Sequence, residues 1–310
     1  MRRSSQVRVG IAGWSYPDWA GIVYPARSSF QKLKFLAKLF NTIEINTTFY
    51  RIPEADQGRR WCDSVADREE FEFTVKLLQD FTHGREGETL REQDFAALSR
   101  KFKELLQVMQ AQKRLGALLI QFPYGFHWTP QNRERLTRLL REFNEFPLVV
   151  EVRHRSFQDG AFFDFLRKEK IGFVNLDQPR VSQSLEPTTE VTAPVAYVRF
   201  HGRNARSWFD PGAGRDQRYD YLYSHEELEE WRGRIDSISK ASDIVYVIFN
   251  NHFRGQEVVN ALEFSSIWQD KAVAIPAALK KVYPRLESIA APQDVSLEDA
   301  QLPLLDFPKT

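Results

Sequence analysis

Cysteine is nearly absent from this chain. Cys62 is the only one among 310 residues, so no intramolecular disulfide can form and no cysteine cluster can hold zinc. The simplest reading of Cys62 is a small packing residue on a helix. A dominant charge is missing too: 43 Lys and Arg against 42 Asp and Glu leave a net charge of +1. No global basic field argues for nucleic acid, although a local basic patch stays open. No apolar run approaches the roughly 20 residues of a membrane span. The basic start, MRRSSQ, leads into a strand pattern with Gly10 and Gly13, unlike an apolar signal core with a cleavage site. The expectation is a soluble, cytoplasmic protein with no membrane partner. Neither a GxGxxG dinucleotide fingerprint nor a GxxxxGK[ST] phosphate loop occurs, and nothing points to a cofactor or fixes an oligomeric state.

What the chain does have is a rhythm. Eight short apolar runs recur: VRVGIAGW (7–14), TIEINTTFY (42–50), FEFTVKL (71–77), LGALLIQFP (115–123), LVVEVRH (148–154), GFVNLDQP (172–179), AYVRFHG (196–202) and IVYVIFNN (244–251). Within them apolar and polar residues alternate. Val150 and Val152 oppose Glu151 and Arg153, and Val198 and Phe200 oppose Arg199 and His201, the period of a strand. Amphipathic segments separate most of the runs. Residues 29–40 carry a stripe of Leu33, Leu36, Ala37 and Phe40, and 89–110 one of Phe95, Leu98, Phe102, Leu105 and Met109. Thr129-Pro130 opens a helix reaching Phe143, 161–170 forms a short one, and Ser224 with Glu227 makes a capping box for a helix to about Ser239. A last helical pattern spans 256–268.

This order predicts an α/β fold: a single (β/α)8 TIM-type barrel over 1–270, with a C-terminal extension, 271–310, packed on the barrel or at an interface. Two departures are expected. Residues 179–194, between strands six and seven, lack a helical period, and 203–223 form a long loop after strand seven, of the kind that often serves as a lid or binding loop.

In a barrel the outer strand face packs under helices and should be apolar, so the polar set should point inward. That gathers Glu44, Asn46, Lys76, Gln121, Glu151, Arg153, Asn175, Asp177, Arg199, His201 and Asn250 at the strand C-termini, with Asn251 and His252 just beyond. Active sites of such barrels sit there. A buried ion-pair network is the competing reading, since the charges alternate in sign and buried charges must be paired. A purely structural interior, however, is usually filled by Val, Ile and Leu. Glu44, Lys76, Glu151, Asp177 and His201 are the candidate catalytic residues. Lys76 either neutralises Glu44 or acts as a base or Schiff-base nucleophile. Arg153, Arg199 and Arg203 are candidate forks for a carboxylate or phosphate. Trp14, Tyr16, Asn46, Tyr50, Gln121, His154, Asn250 and Asn251 complete the candidate binding set.

A divalent metal on His154, His201 or His252 with Glu151 and Asp177 is conceivable but not favoured. Arg153 and Arg199 would stand beside the cation, and no HExxH spacing occurs. His83 reads as a loop hydrogen-bonder. Trp19, Tyr24, Phe126, Trp128 and Trp208 join Trp14, Tyr16 and Tyr50 in loops after strands, either as loop packing or as a stacking wall for a sugar or base. The long loop also carries Arg206, Arg215 and Arg218 with Gly212 and Gly214.

The stretches GIAGWSYPDWAGIVYP (10–25), IEINTTFYRIP (43–53), FTVKLLQDFTH (73–83), LLIQFP (118–123), VVEVRHRSF (149–157), YVRFHGR (197–203) and VYVIFNNHFRGQEVVNA (245–261) resemble, in order, the motifs of the DUF72 or YecE-like family. That resemblance implies a TIM-type barrel and no particular reaction. The chain departs from the usual pattern at Phe157, where tryptophan is expected, and at His252-Phe253-Arg254, where small or polar residues are typical. The functional expectation is a barrel that binds or transforms a small anionic ligand, phosphorylated or carboxylated, by acid/base chemistry. The alternatives are a repair-type phosphodiesterase acting on nucleic acid and a non-catalytic binding barrel.

Overall fold

The computed structural model describes residues 5–25, 31–84, 90–181, 183–208, 210, 212 and 214–292. Eight parallel strands close on themselves in sequence order. They are β1 (Gln6–Ala12), β2 (Thr42–Ile45), β3 (Glu72–Lys76), β4 (Leu115–Gln121), β5 (Leu148–Glu151), β6 (Gly172–Asp177), β7 (Val195–Phe200) and β8 (Ile244–Phe249). Each lies inside its expected run or within a residue of it, so the (β/α)8 reading holds.

Helices cover the outside. They are α1 (Lys32–Leu39), α2 (Ala55–Asp63), α3 (Gln79–Thr82), α4 (Glu92–Ala111), α5 (Pro130–Glu142), α6 (Gly160–Glu169), α7 (Ala205–Trp208), α8 (Arg215–Arg218), α9 (His225–Ser239), α10 (Gln256–Gln269) and α11 (Ala277–Val282). The local signals act as anticipated. Thr129 accepts from the Asn132 backbone N–H with Pro130 in the first turn, and Ser224 and Glu227 cap each other reciprocally. Cys62 is buried on α2.

No helix forms among the described residues between β6 and β7, and this changes the barrel wall. Asn175 and Asp177 point outward, not into the mouth. Asn175 Oδ1 accepts from Thr188 Oγ1 and the Glu190 backbone N–H, and its Nδ2 donates to the Glu190 carbonyl. The expectation that an outer strand face must be apolar assumed a covering helix. At Asn175 an irregular chain covers β6, and its backbone groups take polar partners from the strand; Asp177 meets the side chains of Arg203, Tyr223 and Trp231. Register agrees: Leu176 pairs with Arg199 and Asp177 with Phe200, and Phe200 packs outward on Trp231 of α9.

The extension is continuous with the core as far as it is described. Ile275, Leu279 and Leu286 are buried, and Val273 bridges to Ala290. Residues 293–310 lie outside the described residues, as do residues 209, 211 and 213 and the side chains of Trp208 and Arg215 in the long loop. No described helix is long and apolar enough to cross a membrane.

Candidate functional site

The inward polar residues divide into a closed cluster and an open cavity. Arg199 is the centre of the cluster. Its Nε donates to Glu44 Oε2 at 3.0 Å, its Nη2 to Glu44 Oε1 at 2.6 Å, and its Nη1 to Glu151 Oε2 at 2.9 Å. The planar fork matches a carboxylate bidentately and still reaches a second. Tyr197 donates to Glu44 Oε2 at 2.8 Å and lies against Thr74 Oγ1. Arg153 and His201 both reach Glu151 Oε1. All of these except Arg153 are buried.

The electrostatics follow from that packing. Burial pushes Glu151 up, but Arg199, His201 and Arg153 outweigh it and hold the carboxyl well below the usual range. Burial lowers His201 to about 3 despite Glu151 beside it. The ring is therefore neutral. Its neighbours fix the tautomer: Nε2–H donates to Glu151, and Nδ1 accepts from Asn250 Nδ2 at 3.1 Å. Two carboxylates thus balance two guanidinium groups. Glu151 is an ionised acceptor engaged by three donors and poorly suited to taking a proton, and three of the five Arg199 N–H groups are already held by Glu44 and Glu151.

Lys76 stands apart. It does not pair with Glu44, because Arg199 occupies that carboxylate. No described carboxylate forms an ion pair with it, and its Nζ lies 3.9 Å from the centroid of the Phe49 ring. Burial, then the nearby Arg199, lower it from 10.5 to about 7. The same pressure acts on His83, which burial and Lys76 lower to about 4. His83 bonds Thr82 and approaches Gln121, as a loop hydrogen-bonder does.

Above the cluster lies a cavity of about 440 Å³ at the C-terminal mouth, a size suited to a small molecule. Of the expected residues, Trp14, Tyr16, Asn46, Tyr50, Lys76, Arg199 and Asn250 line it. Tyr16 stacks on His252 at 4.5 Å, Trp14 meets Trp61 edge-on at 5.7 Å, and Tyr50 is 63% exposed at the rim. Asn46 Oδ1 is buried without a hydrogen-bond partner.

Other expected residues do not reach the cavity. Asp177 accepts from Arg203 Nε at 2.9 Å and Nη2 at 2.6 Å, from Tyr223 at 2.9 Å and from Trp231 at 2.5 Å, all on the outer face. Arg203 is consumed by Asp177 and Glu227, so it is no anion clamp. Asn251 turns away to the Tyr221 carbonyl and Asn260. His154 caps the turn after β5 at Ser156 and lies 4.0 Å from the His127 ring. Among the described residues no three His, Cys, Asp or Glu side chains gather as a metal site.

Sequence reasoning passed over Phe49, Arg51, Trp61 and Tyr219 in the lining. Phe49 and Arg51 flank the chosen Tyr50, but beyond the strand no alternation selects among them. Trp61 comes from α2 and Tyr219 from the loop after β7, where strand parity has no meaning. Tyr197 and Thr74 share the parity of Arg199 and Lys76 and were available to that signal. A larger open groove of about 1110 Å³ runs along α4 and α5. There Lys103 pairs with Glu142 and Arg138 with Glu92.

Fold and mouth together define a parallel (β/α)8 barrel protein with a charge-compensated floor and an aromatic-walled cavity. The family model described as "Protein of unknown function DUF72" matches residues 8–284, and the chain belongs to that family. The UPF0759 protein YunF of Bacillus subtilis is 29% identical over 268 residues, covering 82% of this chain and 92% of that protein. A solved DUF72 protein of Thermotoga maritima is 33% identical, with a TM-score of 0.72, over 85% of this chain and 99% of that one. Another, from Enterococcus faecalis, is 26% identical, with a TM-score of 0.74, over 85% of this chain and 96% of that one.

Proposed function

We propose that the mouth cavity binds and transforms a small organic ligand carrying a carboxylate or phosphate. One observation carries this reading. Two cationic side chains, Lys76 at the floor and Arg51 at the rim, face one cavity, and neither forms an ion pair with a described carboxylate. Among the described residues the third cation lining that cavity, Arg199, is engaged by Glu44 and Glu151, and Arg153 beside it by Glu151. Arg51 meets the anionic end through its planar fork. Lys76 titrates near neutrality, where a group serves equally as proton donor and acceptor. Trp14, Tyr16 and Trp61 supply the apolar walls against which the ligand body packs.

A thermal-shift screen of phosphorylated and carboxylated metabolites is the test. At least one anion should raise the melting temperature, and Arg51→Ala should abolish most of that rise while leaving the unliganded protein unchanged. A screen in which no anion stabilises the protein overturns the reading.

A further inference from the structure

We propose that Lys76 is a covalent group, its Nζ condensing with the carbonyl carbon of a small anionic aldehyde or ketone held in the mouth cavity. The inference deepens the anion-site reading and rests on it. A lysine whose task is only charge balance would be paired with a carboxylate. The two carboxylates of the floor, Glu44 and Glu151, are both held by Arg199. The fold therefore places an amine at the end of β3, opening into a cavity large enough for a ligand, and withholds its counterion. Nucleophilic attack needs a nitrogen lone pair, and burial beside Arg199 leaves about half of the amine unprotonated near pH 7. The Phe49 ring face, 3.9 Å away, favours positive charge on that nitrogen once the iminium has formed.

The step balances without a co-reactant. The amine lone pair forms the new C–N bond as the carbonyl π bond breaks onto oxygen. A proton leaves nitrogen for that oxygen, giving a carbinolamine. The nitrogen lone pair then expels the hydroxyl, which takes up a proton from solvent water and departs as water; the iminium left behind carries that positive charge and returns the proton to solvent when it relaxes to the neutral imine. The buried, unpartnered Asn46 Oδ1 is an acceptor available to the carbinolamine O–H. Arg51 holds the anionic end at the rim.

The probe is glyoxylate, the smallest carbonyl acid, with cyanoborohydride to reduce any imine, followed by peptide mass mapping of the full chain. Lys76 should gain a carboxymethyl group at least about ten-fold faster at neutral pH than exposed lysines such as Lys101 and Lys240. Arg51→Ala should slow glyoxylate labelling but not labelling by formaldehyde, which has no charge to hold. Labelling of Lys76 no faster than at the exposed lysines overturns the covalent role. If anions still raise the melting temperature in that case, the anion-site reading survives. If they do not, both fail.

Discussion

Single residues at the mouth divide by what their polar atoms already hold. Asp177 and Arg199 look alike in sequence, each a charged residue near a strand end. In the fold one is an outward brace and the other is the centre of the floor. Asp177→Asn should therefore cost about 1–3 kcal/mol in denaturant unfolding, because Arg203 loses one of the two carboxylates that hold it, while anion-induced thermal shifts stay intact. Arg199→Met should cost more, about 3–5 kcal/mol, since it strands Glu44 as an uncompensated buried charge and leaves Glu151 with Arg153 as its remaining ion-pair partner. Equal losses in the two variants would contradict the division. The candidate site was legible at this scale only as residue types at strand ends. Lys76 and Glu44 are on adjacent strands, so pairing was the natural expectation. It fails because a guanidinium fork from β7, distant in sequence, reaches across the barrel and takes the carboxylate first.

At the scale of elements, alternation located every strand, and caps located the ends of α5 and α9. It misjudged β6, where parity was read through an assumption about what lies outside the strand. Asn175 serves the irregular chain outside β6 and Asp177 serves Arg203, Tyr223 and Trp231, so the same alternation that means a mouth in β5 and β7 means a seam in β6. The close approach of β1 to β2 was also hidden. A Cβ on Gly10 would lie 2.0 Å from the Thr42 carbonyl oxygen, and backbone in a closed barrel cannot move aside. Gly10→Ala should destabilise the protein by about 2–3 kcal/mol, read as a lower denaturant midpoint. An unchanged midpoint would show that the two strands can separate locally.

The whole molecule has opposed pH responses. His201 at about 3 and Lys76 at about 7 lie below their ordinary values of 6.5 and 10.5. Between each pair of values the unfolded chain binds more protons than the folded one, so these groups make stability rise with pH through both windows. Glu257 acts the other way. It is buried in α10 with no side-chain hydrogen-bond partner among the described residues, and burial, only partly offset by the Ala12 backbone, holds it well above the ordinary 4.5. Above that value the unfolded chain releases a proton that the folded one retains, so stability falls as pH rises. Glu257→Gln should accordingly stabilise the protein more at about pH 8 than at about pH 4, and Lys76→Met more at about pH 6 than at about pH 10. Melting curves across pH check both, and a pH-independent gain in either variant would refute the corresponding assignment.

The barrel follows from the order of residues alone. Strand and helix periods are local, each is set by residues a few positions apart, and eight strands separated by helices close in few ways. The sequence also determined where polar groups collect, because strand ends follow from the same periods. Tertiary structure decided which of those groups hold one another. Pairing of Arg199 with Glu44 and Glu151, the outward turn of Asp177, and the isolation of Lys76 depend on distances across the barrel. Alternation gives the side of a strand on which a residue lies, but not the partner it meets there.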